Sequence, residues 1–122
     1  MSLVSTQFAQ EFAEEWIAGW NAGDLGRVMR NYAEEVELSS PGIIGTAGED
    51  SGMLRGKARV MAYREKALMA APDLRFELLG VYAGIRSVTI HYRSVGRRVV
   101  TDVLEFNANG QVVRESAQWR IE

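Results

Sequence analysis

The chain has 122 residues and a formal net charge of -2, with 47% hydrophobic and 25% charged residues. This is the composition of an ordinary globular protein, so we expect one domain over residues 1–122 with one core. The charge gives no reason to expect binding to nucleic acid or to an acidic membrane. The chain contains no cysteine and one histidine, His91, which excludes thiolate chemistry and multi-histidine zinc sites within it.

The N-terminus lacks the basic and apolar segments of a signal peptide, and no apolar stretch is long enough to span a bilayer. We therefore expect a cytoplasmic protein. Because the sequence shows no ligand cluster, we also expect no metal and no cofactor.

The first predicted element is an amphipathic helix from about Ser5 to Trp20. Its aromatic stripe recurs every four residues and comprises Phe8, Phe12, Trp16 and Trp20. Core packing is the plain interpretation of this stripe. Trp16 and Trp20 are also candidate ligand contacts, because a buried indole N–H needs a hydrogen-bond partner. Gly23 suits a left-handed cap that ends the helix.

A second helix is predicted after Asp24, which can cap its N-terminus. Its apolar stripe comprises Leu25, Val28, Met29 and Tyr32. A short strand follows over Val36–Ser39. The segment from Pro41 to Gly56 holds five glycines without a clear period, which predicts a long loop that borders the mouth of a pocket.

A third helix is predicted over Lys57–Ala70, and the rest of the chain predicts antiparallel strands. Their expected bounds are about Leu74–Tyr82, Ser87–Ser94, Arg97–Phe106 and Gln111–Ile121. Helices first and a meander last imply an α+β domain with its helices on one face of a curved sheet. His91 alternates with apolar residues and should face away from the core, at the surface or in an interface.

The last two strands flank Asn-Ala-Asn-Gly, the signature of a hairpin. Alternation places Asp102 on one face with Val100, Leu104 and Phe106, and places Glu115 on the same face with Val113, Ala117 and Trp119. If Phe106 pairs with Gln111, Asp102 lies opposite Glu115. A two-residue slip puts Asp102 opposite Ala117 and keeps every side chain on its face. A fold does not need two carboxylates on an apolar face, so the pattern indicates a pocket with acidic chemistry.

The order of elements resembles the nuclear transport factor 2-like superfamily, and most closely its branch of ketosteroid isomerases and SnoaL-like polyketide cyclases. The resemblance runs from about Phe12 to Trp119. Its motifs are Trp20–Leu25, Ser40–Pro41, Arg55–Ala58 and Glu105–Val112. It implies a cone-shaped domain, in which three helices pack on the concave face of a curved antiparallel sheet around a hydrophobic pocket. It also implies a homodimer through the outer face of the sheet.

The resemblance carries over to single residues only in part. Asp102 stands where ketosteroid isomerases hold a protonated Asp in the oxyanion hole, and Trp16 stands where they have a Tyr. Tyr32 and Trp119 match pocket-wall positions. Ser40 stands where the isomerases have their general base, and a neutral serine is a poor base. Limonene epoxide hydrolase is also similar around Asp102, but its paired Arg would fall at Val100.

Three functions are open at this point. The first is an isomerase, cyclase or hydratase without a cofactor, which acts on a small, mostly apolar molecule with Asp102 and Glu115 as the proton-transferring pair. Its candidate substrate contacts are Trp16, Trp20, Tyr32, Ser40, Leu104 and Trp119. The second is a non-catalytic module that binds a small ligand, in which Arg55, Arg59 or Arg64 ties up the carboxylates. The third is a dimeric interaction domain whose pocket is filled by side chains.

Overall fold

The computed structural model of the protein describes residues 4–122. Within this range the α-helices are α1 (Thr6–Asn21), α2 (Leu25–Val28), α3 (Pro41–Ala47) and α4 (Lys57–Ala70). The strands are β1 (Tyr32–Ser39), β2 (Met53–Arg55), β3 (Glu77–Ala83), β4 (Ser87–Arg93), β5 (Arg98–Phe106) and β6 (Val112–Ile121). A 3₁₀ turn, Val95–Arg97, joins β4 to β5. No helix in this part of the chain is long and apolar enough to cross a membrane.

The strands form one curved, unclosed sheet in the order β2-β1-β6-β5-β4-β3. Helix α1 packs on β3 and β4, and α4 packs on β1. The predicted α+β cone is therefore confirmed. The sheet is mixed rather than wholly antiparallel, because β1 runs parallel to β6. A parallel neighbour needs a long crossover, and here most of the chain lies between the two strands.

Helix α1 has the predicted position and amphipathic pattern. The Ser5 hydroxyl accepts a hydrogen bond from the Phe8 N–H at 3.0 Å and caps the first turn. Gly23, with φ 68°, follows the last turn as expected. The Asn21 side chain bonds both the N–H and the carbonyl oxygen of Phe76, at 2.7 and 3.0 Å. These bonds fix the end of α1, and hence Trp20, beside the segment that leads into β3.

The predicted second helix is wrong in its length. Helix α2 ends at Val28, and Tyr32 is the first residue of β1 instead of the last member of a helical stripe. Four apolar residues at helical spacing do not distinguish a long helix from one turn followed by a strand. Tertiary contacts decide it here, since Tyr32 pairs with Val112 of β6.

The predicted loop over residues 41–56 is also wrong, because most of it forms α3 and β2. The Ser40 hydroxyl accepts a hydrogen bond from the Gly42 N–H, and Pro41 occupies the first turn of α3. Ser followed by Pro is a helix-start signal that the five glycines obscured. Gly48, with φ 70°, ends the helix.

The β5–β6 hairpin adopts the slipped register, with Asp102 opposite Ala117 and Leu104 opposite Glu115. A bulge follows, so that Phe106 pairs with Val112. The extra residue brings Val112 into the core in place of Val113, which was predicted to face inward. Asp102 and Glu115 remain on the inner face, as alternation predicted.

Candidate functional site

A cavity of about 330 Å³ lies between the helices and the inner face of the sheet. This volume is at the lower end of the range for small-molecule sites. Its aromatic walls are Trp16, Trp20, Tyr63, Phe76, Tyr92 and Trp119. Four of these rings, Trp16, Trp20, Phe76 and Tyr92, form a connected cluster. The centroids of Phe76 and Tyr92 are 4.6 Å apart, and those of Trp16 and Tyr92 are 5.4 Å apart. Such walls favour a flat or apolar occupant.

Five of the candidate residues predicted from the sequence line this cavity. They are Trp16, Trp20, Ser40, Asp102 and Trp119. The other three, Tyr32, Leu104 and Glu115, lie in the packed interior and are not among its lining residues. The structure therefore brings Asp102 to the cavity and leaves Glu115 behind its wall.

The first polar contact at the cavity is a buried ion pair between α4 and β6, in which Arg64 is a lining residue and Glu115 is not. Arg64 Nη2 lies 2.7 Å from Glu115 Oε2, and both side chains are almost fully buried. The Tyr32 hydroxyl donates to Glu115 Oε1. It also accepts hydrogen bonds from Arg64 Nη1 and from Trp16 Nε1, each at 3.1 Å. Every polar group of this contact is thus bonded, as burial requires.

The second polar contact joins β4 to β5 at the cavity. The Tyr92 hydroxyl donates to Asp102 Oδ2 at 2.6 Å. Asp102 also lies close enough to Glu115 for each carboxyl group to shift the pKa of the other. Between two carboxyl groups, only a protonated one can donate.

The surroundings give the two carboxyl groups opposite pKa shifts. Burial, reinforced by the negative charge of Glu115, raises the pKa of Asp102 well above its usual range. Burial acts on Glu115 in the same direction. The charge of Arg64 and the hydrogen bonds from Asp102, Tyr32 and Arg64 outweigh it, so the pKa of Glu115 is lowered. Of the two groups, Asp102 is therefore the one that keeps its proton to the higher pH.

Ser40 is committed to other contacts. Its hydroxyl caps α3 and lies close enough to the Tyr63 hydroxyl to affect the pKa of that group. Gly42 makes this arrangement possible, because a Cβ there would lie 2.5 Å from the Tyr63 hydroxyl oxygen. The residue that occupies the place of a general base in ketosteroid isomerase is therefore a structural contact between α3 and α4.

The sequence interpretation missed several lining residues with polar groups. Tyr92 was assigned only to the core face of its strand, although it lies diagonally across from Asp102 in the β4–β5 register. Arg98 lines the cavity and stacks on Trp119, with 4.5 Å from its guanidinium carbon to the ring centroid. The inward-facing positions of β5 recur every second residue, and the position before Val100 in this series is Arg98.

Of the three arginines considered as partners for the carboxylates, Arg64 makes the contact. Arg55 pairs with Glu37 at the surface, and Arg59 is exposed. His91 faces away from the cavity, as predicted, and its ring stacks on Tyr82 with 6.5 Å between centroids. Among the described residues, no cluster of three or more His, Asp or Glu side chains could hold a metal ion.

Comparison with known proteins places this arrangement in a family. The model of the SnoaL-like domain matches residues 13–121. The chain is 44% identical to a SnoaL-like protein of unknown function from Burkholderia thailandensis E264, with a TM-score of 0.92 and coverage of 97% of this chain and 98% of that one. No functionally curated protein matches it.

Two more distant structures share the fold. One is an NTF2-like protein of unknown function from Burkholderia xenovorans LB400, at 19% identity, a TM-score of 0.73 and coverage of 93% and 84%. The other is named as an isomerase candidate of the SnoaL-like family, from Agrobacterium tumefaciens C58. It has 19% identity, a TM-score of 0.73 and coverage of 92% and 97%.

Proposed function

The chain belongs to the SnoaL-like domain family, and we propose that its cavity binds a small, mostly apolar molecule whose carbonyl oxygen accepts a hydrogen bond from protonated Asp102. The observation that carries this proposal is the placement of the buried carboxyl pair. Asp102 borders the cavity, where burial raises its pKa and favours its neutral form, whereas Glu115 lies behind the wall and faces Arg64.

The charges of the buried cluster support a carbonyl ligand. Arg64 and Glu115 cancel, and the raised pKa of Asp102 favours its neutral form. A carbonyl oxygen that gains negative charge beside Asp102 is therefore not repelled by a carboxylate at the cavity surface. The Asp102 proton has two acceptors within reach, Glu115 inside the protein and a ligand oxygen in the cavity. A hydrogen bond from a fixed donor in a dry site stabilises such an oxygen more than water does.

Glu115 acts in this proposal as a positioning residue. It has no surface at the cavity, so any part that it takes in proton transfer runs through Asp102. Its negative charge keeps the proton on Asp102. In place of the acid/base pair expected from the sequence, Asp102 is the acid that faces the ligand, and Glu115 is the carboxylate that raises the pKa of Asp102.

A second candidate function is an isomerase, cyclase or hydratase that uses the same acid. The position of Asp102 at the cavity favours it, because Asp102 could donate its proton to a substrate oxygen and take the same proton back when the product forms. Removing a proton from carbon also needs a base in contact with the substrate. The cavity lining of the described residues holds no ionised carboxylate and no histidine, so binding is the primary proposal.

The test is a titration with two matched probes, valerophenone and n-pentylbenzene, which differ by the carbonyl group. Three tryptophans, Trp16, Trp20 and Trp119, line the cavity and report binding by their fluorescence. The ratio of the two Kd values is measured in the wild type and in Asp102→Leu. Comparing the two ratios cancels the difference in hydration between the probes, because that difference is the same in both experiments. One hydrogen bond contributes about 1 kcal/mol, so we expect the ratio to change roughly fivefold.

Infrared spectroscopy of the bound ketone gives an independent reading. The carbonyl stretch should move to lower frequency in the wild type and return towards its value in an apolar solvent in Asp102→Leu. Equal Kd ratios in both proteins, or no binding of either probe, would contradict the proposal.

A further inference from the structure

We propose that the ligand of this cavity is an amphipathic acid, whose carboxylate binds Arg98 while its carbonyl oxygen faces Asp102. This inference rests on the proposed function and adds the charge and the length of the ligand. It starts from Arg98, a cationic side chain on the inner face of β5 to which the resemblance assigns no role.

Arg98 differs from the other arginines in its surroundings. Arg64 pairs with Glu115, and Arg93 pairs with Glu77 and Glu122. No salt bridge within residues 4–122 involves Arg98. Its Nε is buried without a hydrogen-bond partner among the described residues. An arginine that lacks an anion while it lines a cavity is a candidate anion-binding group.

The orientation of Arg98 is fixed by an aromatic ring. Its guanidinium stacks on Trp119, whose ring forms part of the cavity wall. Stacking keeps the planar N–H fork in one place, which lowers the entropy lost when a carboxylate binds it. A guanidinium fork matches the two oxygens of a carboxylate, with two parallel hydrogen bonds.

The charge balance of the cavity favours a single negative charge on the ligand. Arg64 and Glu115 cancel, and the raised pKa of Asp102 favours its neutral form. Arg98 therefore leaves one uncompensated positive charge among the lining residues. In a site partly shielded from water, this charge attracts a monoanion more strongly than an exposed arginine would.

The strand geometry sets the length of the ligand. Arg98, Val100 and Asp102 alternate inward along β5, so the Cα atoms of Arg98 and Asp102 are about 13 Å apart at roughly 3.3 Å per residue. The Arg98 side chain can shorten this span by extending towards Asp102. An apolar stretch formed by Val100, Ala117 and Trp119 lies among the lining residues on the same sheet face. A matching ligand has its acid and its carbonyl separated by a hydrocarbon chain.

The first probe is 7-oxo-7-phenylheptanoate, and its matched control is the corresponding primary amide. The two molecules have the same length and shape and differ in charge. We expect the acid to bind the wild type at least tenfold more tightly than the amide, with a preference that weakens as ionic strength rises. The shorter 4-oxo-4-phenylbutanoate should show a smaller preference, because it cannot reach both Arg98 and Asp102.

The variants are Arg98→Gln and Arg97→Gln, which remove the same charge from adjacent positions. Arg97 is exposed and donates to the Glu122 carbonyl oxygen, and it is not a lining residue. The preference for the acid should disappear in Arg98→Gln and persist in Arg97→Gln. Arg98→Lys keeps the positive charge but lacks the planar guanidinium, so it should retain part of the preference for the acid.

The outcomes separate this inference from the proposed function. If valerophenone binds through Asp102 but the acid and its amide bind equally, the amphipathic-acid inference is overturned and the proposed function stands. If the preference for the acid survives in Arg98→Gln, the carboxylate is held elsewhere and the inference is also overturned. If neither valerophenone nor the acid binds, both proposals fail.

Discussion

Arg64 on α4 and Glu115 on β6 form a buried ion pair, with 2.7 Å between Nη2 and Oε2. This contact gives two carboxyl groups on one sheet face opposite pKa shifts. The guanidinium outweighs burial and lowers the pKa of Glu115, whereas burial raises the pKa of Asp102, which accepts a hydrogen bond from Tyr92. The chemistry open to the cavity follows from this difference.

Glu115→Gln should destabilise the fold strongly. The substitution leaves the buried Arg64 guanidinium without its counter-charge, which typically lowers the free energy of unfolding by about 3 kcal/mol or more. Urea denaturation at neutral pH measures the loss. Glu105→Gln is the matched control, because Glu105 meets Arg114 at the surface, 3.6 Å away, and exposed pairs contribute about 0–1 kcal/mol. Equal, small effects of both substitutions would argue against a buried pair.

The double variant Arg64→Met/Glu115→Leu should be more stable than Glu115→Gln alone. It removes both charges and leaves no unpaired ion in the interior, and such replacements of buried pairs are often neutral or stabilising. The same denaturation experiment compares the two variants. A double variant as unstable as Glu115→Gln would show that packing, rather than charge, causes the loss.

Asp102→Asn should leave stability at neutral pH unchanged or raise it, because a neutral amide replaces a neutral acid. The native state binds the Asp102 proton above pH 3.8, the usual pKa of the group, whereas the unfolded state releases it. The contribution of Asp102 to stability is therefore complete below that pKa and is lost as pH rises towards the raised folded pKa. The wild type should lose stability relative to Asp102→Asn by roughly 1 kcal/mol per pH unit in this window.

Glu115 should contribute with the opposite sign. Its folded pKa is lowered from 4.5, so its stabilisation is present above that pH and is lost as pH falls through the folded value. Carbon-detected NMR titration of both carboxyl groups checks the two directions together. Two independent pKa values near the ordinary ones would refute the assignment of acid and carboxylate.

The outer sheet face should form an isologous dimer that buries more than about 1,000 Å² in total. This face carries His91, Thr101, Val103 and Gln118, a mixed rather than strongly charged surface. Light scattering at micromolar concentration should give the mass of a dimer. Val103→Glu should shift it to a monomer, whereas Ile85→Glu, in the exposed β3–β4 connection, should not. A monomeric wild type would end this prediction.

The segment of residues 41–56 should exchange its amide protons faster than the β5–β6 hairpin. It contains short elements and borders the cavity through Gly42 and Thr46. Hydrogen exchange followed by mass spectrometry compares the two regions. Exchange as slow as in the hairpin would rule out a role as a mobile lid.

Local sequence pattern determined much of this protein. A period of four predicted α1, and a period of two placed Asp102 and Glu115 on the inner face whichever register the hairpin adopted. The resemblance added the cone, which the structure and the family match confirm. These features depend on neighbours within a few residues, or on the order of elements, and both are visible in the chain.

Only the tertiary structure decided how the two carboxyl groups differ. The bulge at Phe106 fixes the register of the β5–β6 hairpin. Tyr32, which was predicted in a helix, begins strand β1. Arg64 on α4 pairs with Glu115 on β6. Each is a contact between residues far apart in sequence. Burial and the nearest charge set a pKa, and neither can be read from spacing. The opposite pKa shifts of Asp102 and Glu115 therefore depend on the packing of α4 against the sheet.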